Sequence, residues 1–271
     1  MVSVKDFIKD VINLYFGKMM PRASAALSYY LTMTIFPLII CLYAMFGQNY
    51  QAAMNVFNYT EQFLTPSAAG LFKSYLLQVA NNSGRAVLVA AVTTLFLSAS
   101  AAIRVLIRTI CELQGAHRFR AITDFLFSFL LAFALVFAVY FSIVVMLTGR
   151  LFLNWLAATF FIDVAESSWV WARFLLLGTI ILLLLWGIFG FARPRDDRYH
   201  VLPGAAVATL GIVVMSTLFS SLIASSTRYS LVYGSLASLI LLMVWLYIMC
   251  QIIFAGATLN IVIRDRTALR H

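Results

Sequence analysis

The chain has 271 residues, of which 63% are hydrophobic and 11% charged, against about 45–50% and about 25% in soluble domains. One water-soluble core of this size could not hide so much apolar surface, so a soluble domain is excluded. The net charge of +9 raises nucleic acid as a partner, but in a membrane protein Lys and Arg first report which loops stay in the cytoplasm.

Only helices and closed barrels satisfy their backbone within a bilayer, and the long apolar runs here have helical length. The expected fold is all-α: a polytopic membrane protein of six transmembrane helices, forming one domain over residues 1–271. Residues 1–20 set Val4, Phe7, Ile8, Val11, Ile12, Tyr15 and Phe16 on one face and Lys5, Asp6, Lys9 and Asp10 on the other. That spacing predicts an amphipathic helix lying at the membrane surface. The first span is expected over 23–47, with Ser24, Ser28 and Thr32 on one face and Pro37 kinking it within the membrane.

Residues 48–84 form a long connection. Thr65-Pro66-Ser67 is a helix-start signal, and Leu71, Phe72, Tyr75, Leu76 and Val79 then form a stripe. This predicts an outer amphipathic helix between spans one and two, with a shallow re-entrant insertion as the competing arrangement. The second span is expected over 86–110. There Ala90, Thr94, Ser98 and Ala102 make a small, partly polar face, and Arg104 and Arg108 are expected to continue that side at the inner end. The third, over 125–149, is crowded with Phe and nearly devoid of polar groups, as suits a lipid-facing helix.

Trp169 and Trp171 form an interfacial belt before the fourth span, expected over 172–192. Pro203-Gly204 opens the fifth, over 201–226, with Thr217, Ser221 and Ser225 along one side. The last span, over 233–263, belongs to an apolar run from Tyr229 to Ile263 without a charged side chain. Small residues near both of its ends, Gly234 and Gly256 among them, suit close helix packing.

Six spans with both termini inside leave Lys5, Lys9, Lys18, Arg22, Arg104, Arg108, Arg118, Arg120, Arg193, Arg195, Arg198, Arg264, Arg266 and Arg270 on the inner side. Only Lys73, Arg85, Arg150, Arg173 and Arg228 fall outside. A ratio of 14 to 5 orients both ends to the cytoplasm, and it absorbs the net charge without nucleic acid.

Catalytic signatures are lacking. His117, His200 and His271 fall in inner segments with no partner at a motif spacing, and there is no P-loop, HExxH or GxSxG. Cys41, Cys111 and Cys250 follow no metal-ligand spacing. No enzyme activity, metal or cofactor is expected. The ten carboxylates lie in loops or at span ends, which argues against proton coupling through a buried acid.

The polar residues within spans are the candidate substrate-binding groups: Ser28, Thr32, Thr94, Ser98, Arg104, Arg108, Ser221, Gln251 and Asn260. The guanidinium fork suits phosphate, although snorkelling explains Arg104 and Arg108 as well, and helix packing explains the Ser/Thr faces. Arg150, Arg173 and Arg228 at outer span ends are candidates for an outer anionic-headgroup site. Gln251, Thr258 and Asn260 are expected to turn inward.

Five segments carry a resemblance: ALSYYLTMTIFPL at 26–38, LPGAAVA at 202–208, YGSLASL at 233–239, WLY at 245–247 and GATLN at 256–260. In order and over nearly the whole chain, they resemble the YihY/virulence-factor BrkB family of bacterial inner-membrane proteins, once labelled ribonuclease BN. The resemblance implies a six-span bundle in the inner membrane and a role in envelope properties, with proposed movement of lipid or other envelope molecules. It marks Pro37, Pro203, Gly204, Tyr233, Gly234 and Gly256 as motif positions. Thr258 stands where the family motif places Glu, so a mechanism that needs that carboxylate is not implied for this chain. The expected function is a transporter-like protein for an amphipathic, anionic envelope molecule such as a lipid. A scaffold of an envelope-assembly complex, or a small-solute carrier or channel, is the alternative. Expected partners are membrane lipids, with a second copy or an envelope protein possible.

Overall fold

The structure is a computed structural model, and it describes residues 4–45, 85–115, 125–141, 166–193, 199–225 and 236–268. Seven helices fill these residues: α1 (Val4–Gly17), α2 (Met20–Met45), α3 (Arg85–Leu113), α4 (Phe125–Phe141), α5 (Glu166–Ala192), α6 (Leu202–Ser225) and α7 (Leu236–Ala268). Five of them, α2, α3, α5, α6 and α7, are long and apolar enough to cross a membrane. The described part of the third expected span, α4, is shorter but equally apolar. The chain is an all-α polytopic membrane protein, as expected. The predicted outer helix of residues 48–84 lies outside the described residues.

α7 is the hub. It packs against α6, α2, α1 and α3, while α2 also packs along α3, and α5 joins α6 to α3. Cys250, Phe254, Thr258, Asn260 and Ile261 of α7 are all buried, as a helix apolar on every side must be in a bundle. Ser24, Ser28 and Thr32 of α2 are buried as well.

The ends of five helices gather at one end of the bundle. Cys111 Sγ of α3 and Gln114 Nε2 just past its end point at the carbonyl of Ala192, which closes α5 (3.6 and 3.5 Å). Orphan carbonyls at a helix C-terminus need such donors. Arg193 donates to Tyr199 O at 2.8 Å, fixing the approach to α6, and Arg264 of α7 lies over the Tyr199 ring. At the same end Arg266 of α7 pairs with Asp10 of α1 and sits 5.3 Å above the Phe7 ring. The first and last helices are therefore joined there.

α1 keeps the amphipathic character read from its sequence. Leu14 and Tyr15 pack on the core, while Ile8, Ile12 and Phe16 are exposed. Met19 takes a left-handed backbone (φ 54°) and turns the chain from α1 into α2. The Asp10–Arg266 pair is largely exposed on the Asp side, and such pairs contribute about 0.2–1 kcal/mol. Asp10→Ala is expected to leave the unfolding temperature of the detergent-solubilised protein within about 3 °C of wild type.

Candidate functional site

Three features of the bundle bear on function: a helix crossing that is purely structural, a half-buried arginine, and an apolar groove.

The crossing joins α6 to α7. Gly204 and Gly256 meet backbone to backbone: a Cβ built on Gly256 would lie 2.5 Å from Gly204 O and 2.8 Å from Ala208 Cβ. Further along the same seam, a Cβ on Gly211 would lie 2.8 Å from Ile252 Cγ2. Without glycine the two helices could not approach so closely. Asn260 locks the crossing. Its Oδ1 accepts from Gly204 N at 2.7 Å, and its Nδ2 donates to Val201 O at 2.9 Å. Gly204 N–H belongs to the first turn of α6, where no intrahelical acceptor exists. Asn260 thus caps α6 from 56 residues away, and Pro203 occupies a first-turn position that needs no donor.

The two motifs LPG and GATLN are therefore halves of one joint. Asn260→Leu removes both bonds and leaves the buried Gly204 N–H unsatisfied, at about 1–3 kcal/mol, while Val201 O keeps its bond from Ala205 N. The expected result is an unfolding temperature lower by roughly 5–15 °C, read in detergent by thermal denaturation.

Most of the hydroxyls singled out in the sequence are turned back on their own helices. Ser28 donates to Ala25 O (2.9 Å), Thr32 to Ser28 O (2.8 Å) and Ser98 to Thr94 O (2.8 Å). Ser221 donates to Leu218 O and Thr258 to Phe254 O. Helical Ser and Thr in an apolar medium bond this way when no better acceptor is near. Nor do these residues share a surface. Ser28, Thr32 and Asn260 are buried, Gln251 and Ser98 are half-buried, and Thr94 and Ser221 are exposed. Pro37 is buried within α2. Arg173 lies in the N-terminal part of α5, while Arg150, Arg228, Tyr233 and Gly234 fall outside the described residues.

Arg104 differs from the rest. It lies on α3, half-buried, with Nη1 donating to Ser100 Oγ at 2.6 Å and its guanidinium 5.2 Å from the Phe125 ring centroid at the start of α4. Arg108 and Tyr30 are the other groups whose electrostatics reach it. Among the described residues no carboxylate pairs with it. Ser100, Tyr30 and Phe125 were not among the sequence candidates. The partnership with Ser100 corrects the expectation that Arg104 continues the Thr94–Ser98 side. At 3.6 residues per turn Arg104 is about 120° round α3 from Ser98, but in line with Ser100 one turn earlier.

Depth along α3 can be read from its rise. Arg85 and Arg104 are about 28 Å apart along the helix, close to the roughly 30 Å of hydrocarbon in a bilayer. Arg104 therefore lies about one hydrocarbon thickness along α3 from Arg85, towards the end of the bundle that holds the α7 C-terminus. Nearer the other end, an apolar groove of about 330 Å³ opens between α2, α3 and α4, lined among others by Cys41, Leu88, Val92, Phe96, Val136 and Phe137.

Comparison with known proteins places this arrangement. The virulence factor BrkB family model matches residues 14–271. The chain belongs to the BrkB family. A relative in Bacillus subtilis (strain 168), the ribonuclease-like protein YfkH, is 27% identical over 269 residues, covering 97% of both chains. A UPF0761 membrane protein of Aromatoleum aromaticum is 26% identical over 268 residues, 96% of this chain and 64% of that protein. No solved structure matches. The residues of the Gly204–Gly256–Asn260 joint and of the Arg104 site all fall within the BrkB match.

Proposed function

We propose that this BrkB-family membrane protein is a non-enzymatic, transporter-like protein that handles an anionic amphipathic lipid. The observation that carries the reading is Arg104: a half-buried cation held by Ser100 and Phe125 and unneutralised by any described carboxylate, which this reading sets at headgroup depth. A guanidinium with donors to spare suits a phosphate, and the apolar wall beside it suits the chain attached to that phosphate. Arg108, exposed one turn away, adds a second positive charge. With no ATPase motif and no acid within a span, movement is passive or driven by a partner.

The same reading sets the protein in a bacterial inner membrane with both termini in the cytoplasm. Two things support it: the 14-to-5 distribution of Lys and Arg, and the pairing of α1 with the end of α7. A fluorescent protein fused at residue 271 should then glow, and alkaline phosphatase fused there should be inactive. The opposite pair of results would invert the topology.

For the function itself, purified protein in liposomes should speed exchange of labelled phosphatidylglycerol between leaflets over protein-free liposomes. Exchange indistinguishable from the protein-free control, for anionic and zwitterionic lipids alike, would contradict the reading and favour a scaffold.

A further inference from the structure

α4 carries a pattern that neither the joint nor the cation explains. Phe125, Phe129, Phe133, Phe137 and Phe141 recur at every fourth residue, and each is between 41% and 60% exposed. An interval of four against a period of 3.6 makes the rings drift about 40° per step, so they wind as a ladder along the helix. The ladder tracks α3 in antiparallel register. Phe125 lies under Arg104, Phe129 and Phe133 meet Phe96 (centroids 5.5 and 5.9 Å), and Phe133 and Phe137 line the groove with Leu88 and Val92.

Cation and groove are spaced to suit one molecule. From Arg104 to Phe96, where the groove begins, is about 12 Å along α3, and to Leu88 about 24 Å. One leaflet of a bilayer holds about 15 Å of hydrocarbon. A lipid whose phosphate is at Arg104 therefore carries its acyl chain along the ladder and delivers the chain terminus into the groove. Polar solutes have no counterpart there, since nearly all of the groove wall is apolar.

We propose that the α3–α4 seam is a binding site for a single acyl chain of an anionic phospholipid, phosphate at Arg104 and chain end between Phe96, Phe133, Val136 and Phe137. The proposal deepens the lipid-handling reading and rests on it for the headgroup, but binding and movement are measured separately. Occupancy makes the seam the lipid's track, open sideways to the bilayer, in place of a channel through the bundle.

Phosphatidylglycerol with a diazirine at its chain terminus tests this. The full-length protein is reconstituted with it, photolysed, and the adducts are mapped by peptide mass spectrometry. Adducts should concentrate on Phe96, Phe133, Val136 and Phe137, on the order of fivefold above the more exposed Leu175 and Leu210 of α5 and α6. Arg104→Gln should lower the seam adducts by about tenfold and leave those on α5 and α6 unchanged. Chain-labelled phosphatidylcholine should show the smaller seam signal with either protein. Even labelling over all exposed faces, or seam labelling indifferent to Arg104→Gln in a protein with wild-type unfolding temperature, would overturn the proposal. Seam adducts without leaflet exchange would retain the site and defeat the transport reading. Exchange without seam adducts would do the reverse.

Discussion

Gly204→Val is expected to abolish the folded protein. The added Cβ alone would lie 2.5 Å from both Cγ and Nδ2 of Asn260 and inside contact distance of the Gly256 carbonyl. None of these is the free end of a flexible chain. Gly256 O is backbone, and the Asn260 amide is held by its own bonds to Gly204 N and Val201 O. To make room, α6 must move away from α7, which breaks both amide bonds and opens the tightest contact of the hub. Overpacking of about 1–3 kcal/mol and the loss of two buried hydrogen bonds at about 1–3 kcal/mol each together come to about 3–9 kcal/mol, a range whose greater part is a rare cost for one substitution.

The result should be an aggregated or absent peak in size-exclusion chromatography at wild-type expression conditions. Gly187→Ala is the matched control. A Cβ at Gly187 of α5 meets nothing within 4 Å, and replacing a helical glycine by alanine favours the helix by up to about 1 kcal/mol. That variant should elute as wild type with an equal or higher unfolding temperature. Equal behaviour of the two variants would contradict the joint.

What the sequence made legible follows from the range of the forces involved. Helix existence is set by runs of apolar residues, and α2, α3, α5, α6 and α7 fall where the runs predict, with α3 and α7 extending a few residues past the C-terminal ends of those runs. Small residues announce close approach, so Gly256 reads as a packing position, while Gly204 reads only as the opening of a span and a family motif position. That they meet each other was not readable, because nothing in the spacing of residues 204 and 256 encodes a contact across two helices.

Hydroxyl positions were legible and hydroxyl partners were not. The face shared by Ser28 and Thr32 is correct, yet both donate to carbonyls of their own helix, a choice that depends on what surrounds them. Arg104 is legible from its charge and its place near a span end, while Ser100 is not, because the four-residue small-residue pattern runs through Ser98. The Phe ladder hid in a segment read only as greasy: composition records how many rings there are, and only the neighbouring α3 gives their spacing a use.

The second large effect is expected at Arg104, and it concerns function more than folding. Among the described residues its one hydrogen bond joins it to Ser100 on the same helix, so Arg104→Gln breaks no described bond between helices and should leave the unfolding temperature within a few degrees of wild type. A charge-assisted phosphate contact is about twice as strong as a neutral one, so the rate for an anionic lipid should fall by roughly tenfold or more. Arg104→Lys keeps the charge but loses the planar fork and should fall between the two.

The most direct measurement is the initial rate of leaflet exchange of fluorescent phosphatidylglycerol in proteoliposomes holding wild type, Arg104→Gln or no protein. The account predicts a fast wild-type rate, a rate for Arg104→Gln close to that of empty liposomes, and Arg104→Lys between them. A folded Arg104→Gln protein that exchanges the lipid as fast as wild type would contradict it.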